Sequence, residues 1–293
     1  MAKPLVSIII LSALRRGCTQ SCLESIELFT QGIDYEIIVV DMGMDPAIRG
    51  WLINFSSGRN NFKLVFNSGN VGTSKGRNQG IALSEGAYVV FLDNDTLVSD
   101  GWLKGLLGAA GRHRKAGLFG AKLICPNEYV YFCNRYVYDL PVAGVRRIGV
   151  RVVEPFKNNA SAANVEERVA WYPTGCLMAK RELIGALNGF DENLCFVEED
   201  KDLCLRAAGL GAEVVYCPSS LVIHDRVHDD AYERLIRYAN LARIQEDIEY
   251  FESKWECKVD LIYSRACLKH LGYSELMIER MRLGELKKFF QVV

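Results

Sequence analysis

The residues best placed to do chemistry are Asp93 and Asp95, in the stretch "AYVVFLDNDTLVSDGWL" from Ala87 to Leu103. A mostly apolar, β-prone run ends there in two carboxylates with one residue between them. Asp, Asn and Thr are common where a strand gives way to a turn, because their short side chains bond nearby backbone. A second reading uses the period of two in a strand, which aims both carboxylates to one side wherever extended backbone persists. Two hard oxygen ligands on one face suit Mg²⁺ or Mn²⁺, ions that commonly bridge to phosphates. Residue types alone leave both readings open.

Other polar groups sit where a fold could bring them to the same place. Asp41 follows the apolar run "YEIIVV". The segment "NVGTSKGRNQG" supplies Asn70, Gly72, Arg77 and Asn78. Its glycines permit close backbone approach, and a planar guanidinium can hold a base or a diphosphate through paired donors. In "FVEEDKDL", Glu198, Glu199, Asp200 and Asp202 crowd one helix start. Acidic side chains suit the positive end of a helix dipole, which explains one or two carboxylates better than four. His224 ends "LVIH", and neutral imidazole is a reasonable ligand for Mn²⁺, less so for Mg²⁺. Each of these has a plain structural alternative: a solvated strand end, a turn glycine, a surface ion pair, a hydrogen-bonded histidine.

The elements that must position them can be read from periodicity. Leu5 to Leu11, Tyr35 to Val40, Phe62 to Phe66 and Ala87 to Leu92 are four short β-rich runs. "TQSCLESIELFT" places Cys22, Leu23, Ile26 and Phe29 at helical spacing, and "SKGRNQGIALSEG" reads as a short helix closing on Gly86. Strand, helix, strand, helix with tight connections predicts right-handed crossovers and a mainly parallel sheet. In such a sheet ligands gather at the carboxyl ends of the strands, so Asp41 and Asp93 should face one crevice. The alternation fades after about Ile124. Residues 125–170 read as loops with short hairpins. From Trp171 a strand, a helix, an acidic turn, a second helix from about Asp200 and a strand near Val214 to Tyr216 are expected. The segment after His228 reads as helical and polar.

With 293 residues and 49% hydrophobic content the chain can bury a substantial core. Its 35 basic and 36 acidic residues leave a formal charge of −1, so no bulk attraction to nucleic acid is expected and any anion site must be local. The ten cysteines show no CxxC pair or zinc spacing, which predicts small core residues in a reducing compartment. The early apolar run is too short to span a bilayer. A cytoplasmic protein is expected.

Six segments, in order, resemble the inverting nucleotide-sugar glycosyltransferases of family 2. They are "IIVVD" at Asp41, "NVGTSKGRNQGI", "GAYVVFLDNDT", "TGCLMAKRELI", "GFDENLCFVEEDKDLCLRAAGLG" and "VIH" ending at His224. The resemblance implies an α/β GT-A fold: a Rossmann-like, mainly parallel sheet flanked by helices. Residues 1–228 would form the catalytic domain, with a nucleotide-binding half (1–124) and an acceptor half (125–228), and 229–293 a C-terminal helical extension. It further implies that Asp93 and Asp95 form a DxD element holding a divalent metal (Mn²⁺ or Mg²⁺) and the donor, with His224 completing the metal's shell. Asp41 would recognise a pyrimidine base, Asn70, Gly72 and Arg77 would serve the nucleotide, and Asp200 would be the catalytic base, with Glu199 as the alternative. The donor would be a UDP- or dTDP-sugar, and the acceptor a glycan or lipid-linked glycan. The subgroup that extends bacterial surface glycans, rhamnosyltransferases included, is the nearest pattern.

The chain departs from the family where Ser12-Ala13-Leu14-Arg15 and Asp41-Met42-Gly43-Met44 replace the usual motifs after the first two strands, which makes the nucleobase pocket atypical. Two competing functions remain. "FLDNDT" also fits the start of a haloacid-dehalogenase-type phosphatase, although that element normally follows the first core strand. A catalytically silent nucleotide- or glycan-binding relative is the other, against which stands the presence of all the carboxylates. Near the C-terminus, Arg280, Arg282, Lys287 and Lys288 lie among Met281, Leu283, Leu286, Phe289 and Phe290. That mixture suits peripheral contact with an anionic membrane or packing against the catalytic domain.

Overall fold

The computed structural model describes residues 4–13, 16–133, 137–152, 156–225, 241–263 and 291–292. His228 and the basic, apolar segment 280–290 lie outside the described residues.

The four expected runs form strands β1 (Val6–Ser12), β2 (Tyr35–Asp41), β3 (Phe62–Phe66) and β4 (Tyr88–Asp93). They are near-continuous in Val, Ile and Leu because both faces of a parallel sheet are covered. Helices α1 (Arg16–Phe29), α2 (Pro46–Ser56) and α3 (Thr73–Leu83) make the crossovers. In α1 Cys22, Leu23 and Ile26 are buried as their spacing predicts, whereas Phe29, in the last turn, is exposed. Helix α2 starts where Asp45 caps Ala47 N–H and Pro46 takes the first helical position. Helix α3 lies close to the sheet because it presents glycine to it. A Cβ at Gly80 would stand 2.5 Å from Ile9 Cγ2. The expected closure of α3 at Gly86 comes earlier, at Ser84, whose N–H bonds Ile81.

The chain continues through β5 (Thr96–Val98), α4 (Trp102–Arg112), β6 (Ala116–Ile124), β7 (Val130–Phe132), the hairpin β8 (Val137–Val142) and β9 (Val145–Val152), then β10 (Glu167–Val169), β11 (Cys176–Lys180), α5 (Arg181–Ala186), α6 (Glu199–Gly209) and β12 (Glu213–His224). The main sheet runs β10-β12-β6-β11-β4-β1-β2-β3, with β5 on β12 and β7 on β6. Strands β1 to β4 are parallel, β11 is antiparallel to both β4 and β6, and β12 is parallel to β6. The carboxyl ends of β1, β2, β4, β6 and β12 therefore share one edge. That edge holds Ser12, Asp41, Asp93, Ile124 and His224. Strand order reverses at β1, between β2 and β4, the kind of switch point where open α/β sheets bind ligands.

The described part of the C-terminal segment is only partly the helical extension expected from sequence. Helix α7 (Leu241–Trp255) is followed by strand β13 (Cys257–Tyr263), which pairs in parallel with β9, and by β14 (Gln291–Val292) beside β13. The reason is local: "CKVDLIY" changes period from helical to alternating. The second, four-stranded sheet β14-β13-β9-β8 thereby joins the end of the chain to residues 137–152.

Candidate active site

Asp93 is the last residue of β4, and β1 separates it from Asp41: Leu11 pairs with Asp93 and Ser12 with Asp41. Two strand spacings put the two positions about 10 Å apart. Asp95 does not follow the strand's alternation. Residues 94–95 are a turn between β4 and β5, closed by Thr96 Oγ1 donating to Asp93 O at 2.6 Å. Both readings of the sequence thus hold in part: the turn is real, and it is the turn, not the pleat, that aims the second carboxylate. The antiparallel pairing of β5 with β12 sets His224 opposite Thr96, and Asp225 N–H bonds Asp95 O at 2.8 Å.

This register brings Asp93, Asp95 and His224 together. His224 Nε2 is 3.0 Å from Asp95 Oδ1 and 3.8 Å from Asp93 Oδ2. One ligand atom of each lies within 4.8 Å of the others, among the described residues a group that could hold a metal ion. Two carboxylates and an imidazole are a suitable donor set for a divalent ion, Mn²⁺ included. The imidazole is buried and held by packing: the Tyr131 ring meets it edge-on at 4.6 Å, and its Nδ1 is buried without a hydrogen-bond partner. A histidine ligating through Nε2 would carry its proton on Nδ1, where no acceptor among the described residues meets it.

Arg77, from α3, is buried between this cluster and α6. Its guanidinium lies 2.6 Å from Glu199 Oε1, 3.7 Å from Asp93 Oδ1, and 5.4 Å from the centroid of the Phe190 ring. Glu199 and Asp200 open α6. Glu198, at the cap, takes the left-handed backbone conformation at φ +68° and forms a buried ion pair with Lys201 at 2.6 Å. Asp200 is half-buried, and its Oδ1 accepts Lys201 N–H at 2.7 Å. Burial, reinforced by Glu199 and Glu198 and opposed by Lys201, pushes its pKa up to about 7. Asp202, the fourth carboxylate, is fully buried and bound by Arg206, Trp255 and Lys254, which makes it an anchor for the helix.

The remaining expected residues stand apart from this cluster. Asp41 is buried, and Arg49 Nε (3.1 Å) and Gly43 N–H (3.0 Å) each engage one of its oxygens. Arg49 also stacks over Phe66, 4.9 Å from the ring centroid. Arg49 was not singled out in the sequence; its signal was its place eight residues after Asp41, the fourth residue of α2. Asn70 is exposed, and its side chain accepts Gly72 N–H at 3.0 Å. Gly72 has φ +85°, and a Cβ there would stand 2.9 Å from Cys195 O, so packing accounts for this glycine. Asn78 bonds Phe190 O at 3.0 Å and Phe190 N at 2.8 Å, fastening the "GFDE" loop.

Fold and site together define a GT-A glycosyltransferase architecture. Residues 7–166 match the family model described as "Glycosyl transferase family 2", and the chain belongs to that family. Among solved structures it is similar to GalNAc-T7 with UDP, GalNAc and Mn²⁺, with a TM-score of 0.60 and 13% identity over 88% of this chain and 55% of that one. A mannosyltransferase from Pyrobaculum calidifontis in complex with GDP-Man and Mn²⁺ gives 0.55 and 17%, over 83% of this chain and 63% of that one. At these identities the likeness is one of fold.

Curated relatives include the N-acetylglucosaminyl-diphospho-decaprenol L-rhamnosyltransferase of Mycobacterium tuberculosis, 31% identical over 150 residues, 48% of each protein. The pre-mycofactocin glycosyltransferase of the same species is 26% identical over 64% of this chain and 37% of its own length. The chain spans about half or less of the length of these relatives. The phosphatase reading falls, since the DxD element ends the fourth strand of a family 2 chain. No helix among the described residues is long and apolar enough to cross a membrane, and the nine described cysteines form no disulfide with one another.

Proposed function

We propose that this protein transfers a sugar from a nucleoside-diphosphate sugar to an acceptor hydroxyl with inversion, by metal-assisted single displacement. The observation that carries the reading is the convergence of Asp93, Asp95 and His224 at the carboxyl edge of the sheet, joined through Arg77 to the acidic start of α6. Asp93, Asp95 and His224 would hold the divalent ion, which when bound neutralises charge on the departing diphosphate. Asp200 takes the proton of the acceptor hydroxyl as its oxygen bonds the anomeric carbon and the bond to the diphosphate oxygen breaks. A carboxyl pushed up to about 7 by its own burial, with Glu199 and Glu198 adding to the shift, is matched to that task at neutral pH. Glu199 is the weaker candidate because its carboxylate is committed to Arg77.

Asp41 with Arg49 would meet the nucleobase, as a carboxylate can accept a ring N–H and a guanidinium can donate to ring carbonyls. Asn70 and Gly72 would shape the nearby nucleotide-binding turn. The donor is a UDP- or dTDP-sugar, and the rhamnosyltransferase relative supports a deoxyhexose donor and a lipid-linked glycan acceptor. A membrane-borne acceptor also suits the tip of the β8–β9 hairpin. Residues 140–145, Leu-Pro-Val-Ala-Gly-Val, are all exposed and uncharged, an unusual composition for a hairpin end. Screening purified protein against a panel of nucleotide sugars with and without Mn²⁺, by calorimetry and donor hydrolysis, tests the reading. Metal-independent binding, or none, would reject it, and binding without transfer to any glycan acceptor would favour the silent alternative.

A further inference from the structure

The acidic start of α6 is held from outside the catalytic sheet. Asp247, on α7, is fully buried, and its carboxylate accepts three consecutive backbone N–H groups: Cys195 at 3.1 Å on Oδ1, Phe196 at 2.7 Å and Val197 at 3.2 Å on Oδ2. Those residues lead straight into Glu198, Glu199 and Asp200. Charge-assisted bonds of this kind are stronger than neutral ones, and three on one carboxylate fix both the place and the tilt of the backbone.

The same helix grips the other side of the cluster. Trp255 Nε1 is 3.0 Å and Lys254 Nζ 2.7 Å from Asp202 Oδ1. Further back along the loop, Tyr250 and Lys254 bind Asp191, and Arg243 donates to Asn193 O at 2.9 Å. On the face away from α7, Cys195 O accepts Thr73 N–H at 2.6 Å and Thr73 Oγ1 at 2.9 Å. The turn that delivers Glu199 and Asp200 is therefore clamped between the start of α3 and the middle of α7. Its own conformation does not make it rigid: the left-handed φ of Glu198 is one that a non-glycine residue holds only when its surroundings impose it.

We propose that Asp247 is a positioning residue for the reaction: by holding residues 195–197 it sets where Asp200 stands relative to the carboxylates at the strand ends. The inference rests on the reading of Asp200 as base. A general base must lie within hydrogen-bond reach of its proton, and a displacement of about 1 Å costs on the order of 10²-fold in rate. The segment carrying α7 is thus part of the catalytic apparatus.

The test compares the parent protein with Asp247→Ala and, because the alanine variant leaves three N–H groups unpaired at a cost to folding, with Asp247→Asn, which keeps one acceptor oxygen. Expected for either is a fall in single-turnover transfer of roughly 10- to 100-fold, smaller for asparagine. Metal-dependent nucleotide affinity by calorimetry should be unchanged, the midpoint of the pH–rate profile displaced, and hydrogen-exchange protection lost at the amides of 195–197. Rates within about twofold of the parent, or retained protection, would overturn the proposal. So would loss of nucleotide affinity in step with rate, which marks general destabilisation. Asp200→Asn run beside them separates the two claims. If it keeps the parent rate, the base assignment fails; if it loses the rate while the Asp247 variants keep it, the positioning role alone fails.

Discussion

Arg77 joins two acidic groups that the sequence holds far apart: one guanidinium lies 2.6 Å from Glu199 Oε1 and 3.7 Å from Asp93 Oδ1. Arg77 and Glu199 are both more than nine-tenths buried. The guanidinium therefore links the carboxyl end of β4, where Asp93 stands, to the start of α6, and this pairing distinguishes Glu199 from its neighbour Asp200.

Breaking one member of a buried ion pair leaves the other charge uncompensated, at a cost of about 3–5 kcal/mol. Arg77→Met is expected to lower unfolding stability by that amount in urea. Arg77→Met with Glu199→Leu should recover most of it. A double variant no more stable than the single one would show that the pair is not the source of the loss.

Asp95→Asn should weaken Mn²⁺-dependent nucleotide binding by roughly 10- to 100-fold or more, with little change in Tm, because the turn is closed by Thr96 and backbone bonds that the substitution leaves in place. His224→Ala should have the smaller effect on affinity, since among the described residues its Nδ1 meets no acceptor of the kind a strong histidine ligand requires. Isothermal titration of nucleotide with and without the ion measures both. Equal losses would contradict the ranking.

The raised pKa of Asp200 carries a sign for activity. Its proton is held up to about pH 7, so the ionised, basic form is lost as pH falls through 7, well above the range of an ordinary aspartate. The single-turnover rate should rise with pH around neutrality and level off above it. Asp200→Asn should remove that limb and lower kcat by roughly 10²-fold or more, leaving donor affinity nearly unchanged. A profile flat from pH 5 to 8 would count against Asp200.

If the β8–β9 tip meets a membrane, placing charge there should prevent it without touching the site. Leu140→Asp with Val142→Asp, both at exposed positions, is expected to abolish co-sedimentation with anionic liposomes while transfer to a water-soluble acceptor persists. Undiminished liposome binding would remove the hairpin from the contact.

The sequence by itself determined the sheet and its working edge. Apolar β-rich runs alternating with helical spacing force parallel strands, and parallel strands put Asp41 and Asp93 at the same edge whatever else the chain does. Asp95 was legible as a residue type but not in its aim, because the alternation that was to orient it ends at Asp93 and a turn takes over. The commitments of the side chains were decided only by tertiary structure. Arg77 meets Glu199 across 122 residues and His224 meets Asp95 across 129. Asp41 takes Arg49 from a helix, and Asp247 takes the amides of 195–197 from one beyond the motif-bearing part of the chain. Likewise β13 lies in a segment expected from sequence to be helical, and nothing in its short alternating run names β9 as its partner. Periodicity fixes which way a side chain faces relative to its own element; which charged group it finds there depends on how elements distant in sequence pack, and local spacing carries no record of that.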